Sequence, residues 1–450
     1  MQIFYDLIYF LFCLVYFPYL LVNQKWHPHF FMRMGFFPKD IGKRFRQRQN
    51  IWVHAVSVGE VLAVKKLIER IKTSYPQHHI VISTVTQTGY VIAQSNFTRA
   101  ETVIYAPLDF TFIVRKFIKT INPKLYMTAE TEIWPNLLTA LHQHKIPIVQ
   151  VNGRISDKSF GGYQAVRFLT QGVLKSVTIF CMQTSRDAQR IIALGAPKDS
   201  VRVVGNLKFD DMPLTEEFQL DNLSFLDLFI TNIKSFQKEK VEILTTAINV
   251  STEKVSKADE KIWIAGSTHP GEENIILDIY KNLLLEFKEL RLIIAPRHPE
   301  RTAEVLKLVE DKAMAPVKFS ELRKGRTPHN GVIVVDTMGD LKALYSLAYI
   351  VFVGKSLTVG GGHNIIEPAA FAKPIVIGPK TDNFKDIVQI FLENQAVVQV
   401  KDREELLLSM RELLKSPQRV NQLGRKAKEV VAMNHGAVEK TMAIINQFLK

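Results

Sequence analysis

At 450 residues the chain is too long for one ordinary hydrophobic core, so two domains are expected, and a globular composition of 47% hydrophobic residues, without low-complexity tracts or tandem repeats, excludes a disordered chain. A formal charge of +14 favours polyanionic partners: phosphate groups, nucleic acid or an anionic membrane surface. Cys13 and Cys181 are the only cysteines and neither has a neighbour at metal-ligand spacing, which excludes a disulfide framework or zinc cluster and fits a reducing compartment.

The N-terminus reads differently from the rest. Leu7 to Gln24 carries no charge, and these apolar and aromatic residues would span roughly 27 Å as a helix, the lower limit for crossing a bilayer. A membrane anchor is expected over residues 1–24. Pro18 and the tyrosines leave an interfacial or re-entrant anchor as an alternative, and a hydrophobic helix docked on the protein itself is the plainest reading. No basic region precedes the stretch and no small-residue cleavage site follows it, so a cleaved signal peptide is not expected. Lys25, Arg33, Lys39, Lys43, Arg44, Arg46 and Arg48 follow, against a single Asp40, which places the remainder on the cytoplasmic side against anionic headgroups.

From Ile51 a short apolar run alternates with a helical or turn-rich segment. Runs at 51–56, 79–85, 102–106, 124–128, 146–151, 177–182 and 201–204 read as buried strands. The rhythm breaks over residues 211–260, read as a domain connection with an insertion. It resumes with runs at 262–266, 291–295, 331–335, 349–354, 374–378 and 396–400. Strands alternating with helices predict α/β domains with parallel, doubly wound sheets, over 25–210 and 261–450, facing each other across a cleft. The amphipathic segment Gly436–Lys450 is suited to pack back on the first domain.

Chemistry-bearing residues fall where strands end, the edge at which open α/β sheets bind ligands. Ser57-Val58-Gly59-Glu60 follows the first strand, and Glu60 reads either as a general base for a hydroxyl or as an acid favoured by a helix N-terminus. Glu130 and Glu132 precede Trp134-Pro135. They could stabilise positive charge on a sugar carbon, bind hydroxyls, or cap the helix that Pro135 starts. Arg154 and Lys208 end later strands on the same edge, where a strongly anionic substrate is expected. In the second half, Gly266-Ser267-Thr268-His269 and Pro296-Arg297-His298-Pro299 suit phosphate binding. His269 and His298 lack the spacing of a metal site, so capping or packing is the expected role. Asp336-Thr337-Met338-Gly339-Asp340 could read a base edge through its backbone. Asp210-Asp211 has the look of a metal-binding acidic pair, weakened by its place at the domain connection. Gly361-Gly362-His363-Asn364-Ile365-Ile366-Glu367-Pro368 follows an apolar strand directly. Glycines leading from a strand into a helix present backbone N–H groups to a phosphate, with Glu367 in reach of sugar hydroxyls. Lying in the second half, the segment points to a nucleotide-sugar transferase and away from a dehydrogenase.

In order, Ser57–Glu60, Ala129–Asn136, Asn152–Ser156, Gly205–Asp210, Gly266–His269, Pro296–Arg301 and Gly361–Glu367 resemble the 3-deoxy-D-manno-octulosonic acid (Kdo) transferases, bacterial inner-membrane enzymes of lipopolysaccharide synthesis. The resemblance runs nearly the length of the chain. It implies a GT-B glycosyltransferase fold, an N-terminal acceptor-binding domain and a C-terminal domain for CMP-Kdo. It further implies inverting transfer of Kdo to the 6′-hydroxyl of a tetra-acylated lipid A precursor, with no metal or other cofactor, on the cytoplasmic face of the inner membrane. By motif, Glu60 would accept the proton, and Glu130 and Lys208 would stabilise the transition state. CMP would be held by Pro296, Arg297, Met338, Gly339, Asp340, Asn364, Ile365, Ile366 and Glu367. The expected partners are CMP-Kdo, the lipid A precursor and anionic membrane lipids, with no nucleic acid, since no nucleic-acid module is present. The chain departs from the family pattern at Lys355, where glycine is expected, at Pro368, where a small helix former is usual, and in a longer connection between the domains. The rival readings are a UDP-sugar transferase or epimerase, and a membrane-tethered binding protein with a decayed site.

Overall fold

Short runs of β-branched and aromatic residues buried on both sides favour strands of a covered parallel sheet, and two such sheets form. The computed structural model describes residues 2–22, 29–97, 101–211, 260–322 and 331–449. The connection expected over 211–260 lies almost wholly outside the described residues, as does Lys25. The chain divides into two units, Met1–Asp211 together with Asn434–Lys450, and Met212–Met433.

The first sheet holds β1 (Gln49–His54), β2 (His78–Thr84), β3 (Thr102–Tyr105), β4 (Pro123–Ala129), β5 (Ile148–Gly153), β6 (Ile179–Met182) and β7 (Val201–Val203). Their order is β3-β2-β1-β4-β5-β6-β7, all parallel. Winding runs outward from β1 in one direction and from β4 in the other, so the switch point lies between them, where His54 pairs with Thr128. Trp52, Phe117 and Tyr126 fill one face, and Ile51, Val53 and Leu125 the other. The second face is completed by the helix Ala437–Leu449, whose Val438, Met442, Ile445 and Leu449 recur at helical spacing and are buried there.

The second sheet holds β8 (Lys261–Thr268), β9 (Leu290–Pro296), β10 (Pro316–Lys318), β11 (Val332–Val334), β12 (Ile350–Val353), β13 (Ile375–Ile377) and β14 (Val398–Gln399). Their order is β10-β11-β9-β8-β12-β13-β14, again parallel, with the switch point between β8 and β12. Two Rossmann-like units are therefore present. The edge strand β10 was not legible as a strand: it has three residues, bounded by Pro316 and Lys318, residue types that blunt sheet edges.

The N-terminal expectation needs correction. Gln2–Val22 is a helix, but among the described residues no helix is long and apolar enough to cross a membrane. One stripe of it docks on the first unit instead. The Asp6 carboxylate accepts hydrogen bonds from the Thr111 backbone N–H at 3.1 Å and from Asn136 Nδ2 at 2.7 Å, and Tyr9 packs edge-on against Phe110. Cys13, one turn on, is buried. The remaining faces stay apolar and open, with Phe4, Leu7, Ile8, Phe10, Leu11, Phe12 and Leu14 all exposed.

Candidate functional site

In the first unit the ends of β1 and β4 bring three carboxylates together. Glu60 lies in the first turn of the helix Val58–Ala63, almost wholly buried. Its Oε2 accepts the Val56 N–H at 2.8 Å and its Oε1 the Ser57 hydroxyl at 2.9 Å. Burial pushes its pKa up to about 7, the Val56 N–H pulls it down, and the negative charges of Glu130 and Glu132 push it further up. Glu60 thus secures its own helix entrance through Val56 and Ser57, and burial leaves its carboxyl with a pKa near neutrality.

Glu130 follows β4 in the left-handed region, at φ +53°, with its N–H on the Val151 carbonyl. A non-glycine residue there is strained, and such strain is common at working sites. Arg154, after β5, lies 3.9 Å from its carboxylate. Glu132 accepts the Trp134 indole N–H at 3.1 Å, and burial raises its pKa. Neither acid caps the helix Pro135–Gln143. That task falls to Asp109, fully buried, whose two oxygens accept the N–H groups of Asn136 and Leu137. Sequence reasoning missed Asp109 because it lies 27 residues before the amide it caps.

Trp134 is braced from behind. Trp52 Nε1 donates to Ser83 Oγ at 2.8 Å, and the same hydroxyl lies 2.9 Å from His54 Nδ1. Burial holds the His54 ring neutral, with its pKa lowered to about 4. The ring stands edge-on to Trp134, centroids 5.8 Å apart.

Lys208 is half-buried in the short turn Leu207–Asp211 after β7. The side chain of Asn152, near the end of β5, accepts the Leu207 N–H at 3.0 Å and so ties this turn to the strand end that leads to Arg154. The buried carboxylate of Asp210 accepts the backbone N–H groups of Gly436 and Val438, one on each oxygen.

In the second unit the ends of β8 and β12 are bound by one carboxylate. Glu272 is fully buried; its Oε2 accepts the N–H of His269 at 3.0 Å and of Lys355 at 2.8 Å, and its Oε1 those of Ser356 and Leu357, both at 3.0 Å. Burial raises its pKa while the four N–H groups pull it down. The loop after β12 therefore turns these amides to the protein's own acid and not to a ligand. Lys355 has φ +58°, a conformation natural to glycine, the residue that the resemblance led one to expect there.

Beyond that loop, Gly361 and Gly362 both have positive φ, as the motif requires. The helix they lead to, Ile366–Ala370, has only five residues, so its dipole is short and Glu367 is its second residue. Pro368 falls in the first turn, where its missing N–H breaks no helical bond. Asn364 Oδ1 accepts the Ile366 N–H at 3.1 Å, and Asn364 Nδ2 lies 3.4 Å from Glu367 Oε1. Ile365 and Ile366 are buried in the core, so only their backbone can meet a ligand. Burial raises the Glu367 pKa, countered by Lys342, Asn364 and Arg297, which draws Arg297 and the Asn364–Glu367 segment into one neighbourhood. Pro296 is buried at the end of β9, and Arg297 beside it is exposed. Met338 is 74% exposed and open space surrounds Gly339, while Asp340 accepts the Thr337 hydroxyl. Among the described residues no group of three or more His, Cys, Asp or Glu side chains is arranged to hold a metal ion.

A family model described as 3-deoxy-D-manno-octulosonic-acid transferase matches residues 28–211, and one for glycosyl transferases group 1 matches residues 275–430. The chain is 32% identical over 407 residues to the 3-deoxy-D-manno-octulosonic acid transferase of Haemophilus influenzae, covering 89% of this chain and 88% of that one. It is 35% identical over 365 residues to a bifunctional glycosyltransferase/methyltransferase of Fusobacterium nucleatum, covering 80% of this chain and 52% of that relative. A solved structure of UDP-GlcNAc 2-epimerase from Neisseria meningitidis, bound to UDP-GlcNAc, superposes with a TM-score of 0.54 at 14% identity, covering 89% of this chain and 99% of that one. That likeness is of fold alone, the α/β GT-B class.

Proposed function

This chain belongs to the 3-deoxy-D-manno-octulosonic acid transferase family and is a glycosyltransferase, and on that premise we propose that it moves Kdo from CMP-Kdo to the 6′-hydroxyl of a tetra-acylated lipid A precursor, with inversion and without a metal. The observation that carries the reading is the buried Glu60, held near neutrality beside Glu130 and Glu132 at the switch point of the first sheet. In this reading Glu60 takes the proton of the acceptor hydroxyl as its oxygen attacks the anomeric carbon, and the electron pair of the breaking bond leaves with CMP. Positive charge developing on the sugar is stabilised by Glu130, and Lys208 balances the negative charge of the departing phosphate. CMP lies against Pro296 and Arg297, the Met338–Asp340 turn, and Asn364 to Glu367. Arg297 and Lys342 supply the cations that the Glu367 environment already registers.

The enzyme would work at the cytoplasmic face of the bacterial inner membrane. Supporting this are the exposed apolar side chains between Phe4 and Leu14 and the basic helix Lys39–Gln47, suited to lie on anionic lipid. The test is to incubate the purified protein with CMP-Kdo and lipid A precursor and weigh the lipid product. A mass gain of Kdo residues is expected, lost in Glu60→Ala with CMP still bound; unchanged transfer in that variant removes Glu60 as the base. Tight UDP binding with no CMP binding would favour the epimerase-like alternative.

A further inference from the structure

His269 and His363 are 94 residues apart in sequence, yet their Nε2 atoms lie 3.0 Å from one another. Their rings are nearly parallel, centroids 5.2 Å apart. At that distance one Nε2 carries a proton and the other offers its lone pair, since two protons or two lone pairs would repel. The neutral pair therefore has one N–H and one bare nitrogen left for other partners, both Nδ1.

The surroundings are cationic. His298 stands edge-on to His269, centroids 5.7 Å apart, and has Glu300 at 3.5 Å. Lys355, from the loop after β12, and Arg297, from the end of β9, act on both rings, and Arg301 acts on His269. The acids nearby are committed elsewhere. Glu272 faces backbone amides, and Glu273 and Glu304 both bind Arg301. Arg297 acts on Glu367, but among the described residues neither Arg297 nor Lys355 forms a salt bridge, so the cluster keeps an excess of positive charge. Burial first, and these cations second, keep both rings uncharged in the free protein, with pKa values lowered to about 4 for His269 and about 3 for His363.

We propose that the His269–His363 pair takes up one proton when an anion settles in this cluster, and that the charged pair then presents an N–H from each ring to the phosphate or carboxylate of the nucleotide sugar. The proton comes from solvent and adds to the bare Nδ1; no other bond changes. The incoming negative charge removes the repulsion that kept the pair neutral, so binding and protonation reinforce each other. Because the bound-state pKa exceeds the free one, affinity falls as pH rises through the bound-state value, by at most about tenfold per pH unit. This rests on the reading of the second unit as the CMP-sugar site.

The test is titration calorimetry of CMP into the full chain near pH 6.5, in buffers of different ionisation enthalpy. Sulfate, which does not titrate near neutrality, serves as a second probe. The observed heat is expected to vary with buffer enthalpy with a slope of roughly half to one proton taken up. In His269→Gln combined with His363→Asn, which keeps polar groups that cannot charge, the sulfate slope falls to zero, the CMP slope drops to what the titration of its own phosphate supplies, and CMP binds about five- to tenfold more weakly. Sulfate heats independent of buffer in the native chain, or a sulfate slope that survives in the double variant, overturn the proposal. Proton uptake with sulfate but no binding of CMP would keep this inference and sink the nucleotide reading.

Discussion

Replacing Glu272 by glutamine keeps the side chain's shape and removes one of its two acceptor oxygens. Each oxygen now serves two backbone amides: Oε2 those of His269 and Lys355, Oε1 those of Ser356 and Leu357. Whichever way the amide turns, one pair of N–H groups is left facing an NH₂ that can only donate. Two buried donors without acceptors cost about 1–3 kcal/mol each, so Glu272→Gln should destabilise the second unit by about 2–6 kcal/mol. A domain stable by about 5–15 kcal/mol survives that loss, but the loop should loosen. Urea unfolding gives the first figure. Hydrogen exchange at residues 355–357 gives the second, and should speed up well beyond the rest of the unit. Glu304→Gln, an exposed change, is the control. A midpoint shift below about 0.5 kcal/mol with unchanged exchange at 355–357 refutes the reasoning, because it would mean that the amides do not depend on the carboxylate.

If Glu60 is the base, transfer should rise with pH, reach half its maximum near pH 7 and then level off. Glu132→Gln removes a like charge and should move that inflection to lower pH in rate–pH profiles. Because the folded state holds the Glu60 proton more tightly than the usual 4.5, its ionisation costs stability as pH rises from about 4.5 to about 7. Melting curves of the native protein should therefore fall relative to Glu60→Gln across that window. Lys355→Gly relieves roughly 1–2 kcal/mol of left-handed strain against roughly 0.5–1 kcal/mol of added chain entropy. Its unfolding midpoint should hold or rise while CMP affinity drops, as read by calorimetry; a clear loss of stability would be the contrary result. Asp210→Ala takes away the acceptor for the Gly436 and Val438 amides, a cap worth about 0.5–2 kcal/mol. Limited proteolysis should then release the C-terminal segment first. If peptides from 434–450 appear no sooner than in the parent, the cap is not what holds the helix.

The parallel sheets were legible because buried strands write themselves as apolar runs, and the edge at which Glu60, Glu130 and Arg297 stand follows from where those runs stop. What escaped was mostly remote partnership. Nothing local ties Glu272 to the amides of 355–357, Asp109 to the helix at Pro135, or His269 to His363, since each pair meets only when the switch points close. Backbone strain was hidden for the same reason: Glu130 and Lys355 carry no mark of positive φ. The glycines of the Gly361–Glu367 segment were legible, but not that the helix they lead to begins only at Ile366, one residue before Glu367. At the hydrophobic N-terminus the sequence left crossing, interfacial and docked helices open, because the uncharged stretch counted from Leu7 left out Asp6, the residue whose bonds commit one stripe to the protein.

The return of Asn434–Lys450 to the first unit has a consequence for synthesis. A ribosome making this chain releases all of the first sheet's strands more than two hundred residues before the helix that covers one of its faces. Until then the surface formed by Val204, Leu207 and the outward side of β4 awaits Val438, Met442 and Ile445. The nascent first unit must therefore wait, sticky and incomplete, while the second unit emerges whole behind it. The first unit to be made is thus completed only after the second has been made, and its open face stays exposed for as long as that takes.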